Sequence, residues 1–230
     1  RFKNLKQDLS QLGSQFAQNI LDCTNKWTFH TEDDAALEGC SPYVIERAQQ
    51  AASDAGKSGY VLGLDAPTYQ AVVMYSEHRA TREHFYQAYT TRASDQSKIE
   101  ELQQFDNSAL IDDIVQKRYE LAEILDFESY AALSLERKMA HNVDEVITFL
   151  ESFVTKARSF AEKELSDLKE YAREKLDIAD IKPWDMAFVS EKMKKEQFHI
   201  DQEQLRSYFP IDSVLTGLFE VLSRLYGLRC

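Results

Sequence analysis

The chain has 230 residues, 43% hydrophobic and 11% aromatic, which is long and apolar enough to bury a core and excludes a disordered polymer. A formal net charge of -12 argues against nucleic acid as a partner, because an acidic surface repels phosphate backbones. No apolar run approaches the ~18 residues needed to cross a bilayer, so no membrane partner is expected.

Breakers are scarce, at 7 Gly and 4 Pro, against average usage of about 7% and about 5%, and long helices are therefore expected. The first is predicted from about Leu5 to Trp27, where Phe16, Ile20, Cys23 and Trp27 recur at helical spacing. Trp27-Thr28-Phe29-His30 alternates and reads as a strand, with Tyr60 to Leu64 as its partner in a hairpin. Between them Ser41-Pro42 opens a second helix, Ser as N-cap and Pro at the first helical position, ending near Gly56. Ala55-Gly56-Lys57-Ser58 has the tail of a phosphate-binding loop, but Ala51 stands where the first glycine is required and a helix precedes it. It reads as a helix end and a polar turn.

Tyr69 to Tyr89 is predicted as one or two helices, followed by a polar loop from Ser94 to Gln104. A helix over Asn107 to Leu125 follows, striped by Leu110, Ile111, Ile114, Tyr119, Leu121 and Leu125, and then a shorter one from Glu128 to Met139. Asn142-x-x-Glu145 resembles a capping box and starts the longest helix, which reaches about Leu176 and spans roughly 50 Å. Its apolar stripe (Val146, Leu150, Phe153, Ala157, Phe160, Leu165, Leu168, Ala172) needs a partner along its length, most simply a neighbouring helix. Lys182-Pro183-Trp184 punctuates the chain, a short helix runs to about Phe198, and Asp201-x-x-Gln204 caps another turn. The last helix, Asp212 to Tyr226, is apolar on more than one side and is expected to be buried, which predicts a continuation beyond Cys230. The expected fold class is mainly α: a multi-helix bundle of antiparallel helices with at most a short β-hairpin near residues 27–64, undivided by any linker.

Chemistry is harder to find. None of His30, His78, His84, His141 or His199 begins an H-E-x-x-H motif, and they read as surface or capping residues. Glu196-x-x-His199 has the spacing of di-metal helical bundles, but those require a second copy and two more carboxylates. The dense polar run Glu77 to His84 could line a groove with Phe85, Tyr86 and Tyr89; a solvated helix face is the expected reading. Cys23, Cys40 and Cys230 are odd in number and widely spaced, and read as free thiols in a reducing compartment, hence a cytoplasmic location.

Several ordered segments resemble the zinc oligopeptidases of the thimet oligopeptidase and neurolysin type. They include Gly59-Tyr60-Val61-Leu62, Pro67-Thr68-Tyr69, Val73-Met74-Tyr75, Arg79, Arg82-Glu83 and the run Tyr86 to Ser94. Asp106-Asn107, Phe127 to Ala131, Pro183-Trp184-Asp185, Leu205 to Pro210 and Gly217 to Val221 follow in the family's order. The resemblance implies a mostly helical protein with two lobes around a channel. It implies cleavage of short peptides by one zinc held by H-E-x-x-H and a downstream Glu. Residues 1–230 match the part before that motif, so the expectation is a single helical fragment N-terminal to the catalytic region. No catalytic, metal-binding or cofactor-binding residue is assigned in it, and no substrate contact. Zinc is expected in the full-length parent only. The expected partners are the C-terminal catalytic portion of the same parent chain and, for that parent, short peptides. The isolated fragment is expected to be inactive and to self-associate through its open apolar face. A free-standing helical module that binds peptides or a protein without catalysis is the alternative.

Overall fold

The computed structural model describes residues 1–199 and 208–228. Helix α1 spans Phe2–Lys26 and leads into strand β1, Thr28–Thr31. A 3-10 turn at Asp34–Leu37 precedes α2, Pro42–Asp54, and strand β2 is Tyr60–Gly63. Then come α3 (Ala66–Tyr75), α4 (Arg79–Thr90), a single turn α5 (Glu100–Gln103), α6 (Ser108–Ile124) and α7 (Tyr130–Leu135). The long α8 covers Val143–Lys175, a 3-10 turn covers Pro183–Asp185, and α9 (Met186–Phe198) and α10 (Ile211–Tyr226) complete the described elements. The fold is mainly α, as the scarcity of breakers predicts. The two strands pair antiparallel, with Thr28 opposite Gly63 and Thr31 opposite Tyr60, as the hairpin reading requires.

Local chemistry explains most boundaries. Asp65 Oδ1 accepts from the Thr68 amide at 3.1 Å and starts α3. The Tyr69–Tyr89 segment is two helices because Ser76 leaves the helical path: its hydroxyl donates to Ala36 O at 2.9 Å, and the Glu77 amide donates to Glu38 O at 2.7 Å. Asn142 Oδ1 accepts from the Glu145 amide at 2.8 Å, whereas the Glu145 carboxylate accepts from the His141 amide at 2.7 Å, one residue before the amide a strict capping box would use. Ser41 departs from expectation. It stands at the N-cap of α2, but its hydroxyl caps nothing.

Two cores form. The larger joins Cys23 of α1 and Trp27, just past its end, with Leu37, Ala48, Leu62, Leu64, Val72, Val73 and Phe85, and Trp27 meets Phe85 edge to face at 5.0 Å between centroids. The smaller is Leu168 and Ala172 of α8 against Phe188 and Val189 of α9. Helices α1 and α6 run antiparallel, with Lys117 Nζ on Asp8 at 2.8 Å and Asn107 bonded to both Asn19 and the Phe16 carbonyl.

Three expectations are corrected. On α6 only Leu121 and Ala122 are buried, while Ile111, Tyr119 and Leu125 of the predicted stripe face solvent. On α8 the stripe is buried only at Leu168 and Ala172; Leu150, Phe153, Phe160 and Leu165 are exposed, because α9 meets only the C-terminal part of the helix. Helix α10 forms where predicted, yet none of its residues is buried. The turn predicted at Asp201-x-x-Gln204 lies outside the described residues.

Candidate functional site

The polar run Glu77 to His84 is only in part a solvated face: Glu77, His78, Arg79, Ala80 and His84 are exposed, but the run also turns inward. Thr81, Arg82 and Phe85 are buried, and Arg82 is 1% exposed. Arg82 Nη2 donates to Asp185 Oδ1 at 2.9 Å, and Asp185 is itself fully buried. Arg79 adds a second cation, donating to Asp185 Oδ2 from Nη2 at 2.6 Å, and the Lys182 amide donates to the same oxygen at 3.0 Å. Burial alone would raise the Asp185 carboxyl above the usual carboxylate range. The hydrogen bonds from Arg79, Lys182 and Arg82 outweigh burial and hold it below. Arg82 Nη1 also donates to Ser76 O at 2.7 Å, and the face of its guanidinium lies 4.0 Å from the Phe188 ring centre. Glu77 and Lys192 pair beside the cluster. The whole arrangement locks α4 to the Pro183–Asp185 turn and the first part of α9. It fixes a geometry between these elements.

The sequence reading missed Asp185 as the partner of these arginines. The available signal was Lys182-Pro183-Trp184-Asp185, a helix start whose acid stands where a cap is needed, but nothing local says which cations it meets.

Three histidines make side-chain contacts within the fold, and His141 and His199 are exposed. His30 Nε2 lies 2.9 Å from Ser58 O, and His78, the N-cap of α4, has Nδ1 2.8 Å from Thr81 Oγ1. His84 sits against the rings of Trp27 and Phe29, at 5.6 Å and 5.4 Å between centroids, and the desolvation lowers its pKa. His199 ends α9 in the left-handed conformation, while Glu196 accepts from Tyr171 Oη at 2.8 Å and pairs with Lys175 at 3.3 Å. Glu196 therefore serves the α8–α9 contact. Among the described residues no group of three or more His, Cys, Asp or Glu could hold a metal ion. Gly56-Lys57-Ser58 is a helix end and a turn, with Gly56 left-handed and the Ser58 hydroxyl donating to Glu32. Cys23 and Cys40 are buried free thiols, and burial pushes Cys40 up to about 12.

The architecture is thus a helical region with an internal ionic lock and large uncovered apolar helix faces. Residues 72–230 match the family model of peptidase family M3, and the chain belongs to that family. It is 41% identical over 228 residues to Oligopeptidase A of Salmonella typhimurium and equally to Oligopeptidase A of Escherichia coli; in both, 99% of this chain covers 33% of the relative. Dipeptidyl carboxypeptidase of Escherichia coli is 30% identical over 231 residues, again a third of its length (33%). The chain spans about a third of the length of the curated relatives it matches. Among the described residues no helix is long and apolar enough to cross a membrane.

Proposed function

We propose that this chain is the helical region preceding the zinc centre of an oligopeptidase, and that alone it hydrolyses no peptide. The observation that carries the reading is the 41% identity to Oligopeptidase A along 99% of the chain, confined to a third (33%) of that protein's length. The exposed apolar residues of α8 and α10 support it, because contiguous apolar helix faces call for a partner. In this reading the partner is the C-terminal catalytic portion of the same parent polypeptide. That portion would supply the H-E-x-x-H motif, the zinc and the groups that steady the tetrahedral intermediate. The parent would act in the cytoplasm on short peptides admitted to an enclosed channel.

The test is turnover of an internally quenched fluorogenic peptide by the chain, before and after added zinc. No turnover in either condition is expected. Zinc-dependent turnover that survives repurification and is lost on chelation would overturn the reading.

A further inference from the structure

A cavity of about 410 Å³ opens between α1, α4 and the loop that follows α4. Cys23, Ala88, Ile99 and Leu102 are its apolar lining. Among the described residues its charged lining groups are Arg92 and Lys98, although the chain carries 39 acidic residues against 27 basic ones. His84 also lines it, and desolvation lowers its pKa.

Arg92 is held in place. Its guanidinium lies 3.4 Å from the centre of the Tyr89 ring, and Tyr89 in turn stacks on Tyr69 at 3.8 Å. Nε donates to the Tyr89 carbonyl at 2.8 Å, and Nη1 makes a long contact of 3.4 Å to Thr24 Oγ1. Neither Arg92 nor Lys98 has a carboxylate partner among the described residues. The Arg92 Nη2 donors likewise have no protein acceptor there. A held guanidinium with one edge unused, lining the same cavity as Ala88 and Leu102, suits a carboxylate joined to an apolar group.

We propose that this cavity binds a small carboxylate bearing an apolar side chain, as the C-terminal residue of a short peptide presents. Arg92 receives the carboxylate, Lys98 adds charge at the rim, and the side chain lies over Ala88 and Leu102. The inference rests on the cavity alone, so it stands or falls separately from the peptidase reading.

Calorimetric titration of the 230-residue chain with N-acetyl-leucine tests it. Saturable binding is expected, with no binding of N-acetyl-leucine amide. Arg92→Gln should weaken binding by about tenfold or more, the scale of a lost charge-assisted contact. Should Arg92→Gln fail to fold, Lys98→Glu decides: Lys98 is exposed, and a carboxylate there should repel the probe and weaken binding while leaving thermal unfolding unchanged. Absence of saturable binding, binding unchanged in the folded variants, or equal affinity for inorganic phosphate would overturn the proposal. The last result would reveal a general anion site in place of a carboxylate site with an apolar requirement.

Discussion

Arg82 and Asp185 meet at 2.9 Å across 103 residues of sequence, and both are buried almost completely, at 1% and 0% side-chain exposure. A buried pair of this kind adds little over an apolar substitute, but removing one member strands the other charge. Asp185→Asn is therefore expected to destabilise the fold by about 3–5 kcal/mol, measured by urea unfolding. A loss under about 1 kcal/mol would mean that water reaches Arg82 freely.

The same carboxyl sets a pH dependence. Burial opposes ionisation of Asp185, but the bonds from Arg79, the Lys182 amide and Arg82 prevail, so its folded pKa lies below the unfolded value of roughly 3.9. The contribution is thus fully present above the unfolded pKa and fades as pH falls through the folded one. Thermal midpoints of the native chain should drop more steeply below about pH 4 than those of Asp185→Asn. Parallel curves would contradict the assignment.

Two glycines predict opposite signs. Gly59 has φ of +77°, and a Cβ there would press against the Thr31 carbonyl where β1 ends. Gly59→Ala should cost about 1–3 kcal/mol and loosen the hairpin. Gly13 lies within α1 with open space around it, so Gly13→Ala should stabilise by up to about 1 kcal/mol. Chemical unfolding of the two variants gives both signs directly.

Cys40 is 8% exposed with its thiol pushed up to about 12, so almost none is thiolate at neutral pH. Maleimide modification of Cys40, followed by peptide mapping, should be at least about a hundredfold slower in the native chain than in denaturant. Equal rates would place Cys40 at an open surface.

The apolar residues on α8 and α10, among them Phe149, Phe153, Phe160, Leu218 and Phe219, are expected to drive association of the isolated chain. Light scattering should show mass rising with concentration, and a Phe153→Glu, Leu218→Glu double variant should shift the chain toward monomer. Because both positions are exposed, its unfolding free energy should change by no more than about 0.5 kcal/mol per site. A monomer at every concentration would remove this support for a missing partner.

Much of the secondary structure was legible because its causes are local. Asp65 and Asn142 cap α3 and α8 through side chains one turn away, and Phe198 ends α9 as predicted. Burial was less legible because periodicity shows which face of a helix is apolar, not whether anything covers it. Most of the α8 stripe, outside Leu168 and Ala172, and the apolar faces of α10 were expected inside and are not buried. The ionic lock was illegible for a related reason: Arg82 and Asp185 are brought together by the path of the chain, and each alone resembles a surface charge. The cavity beside Arg92 depends likewise on α1 meeting the loop after α4, a contact with no sequence period.

Bound zinc, measured by elemental analysis after dialysis against micromolar zinc and then metal-free buffer, tests the central claim most directly. A region that precedes the zinc centre should retain far less than one zinc per chain. One tightly held zinc per chain would place a metal centre within these residues and contradict the account.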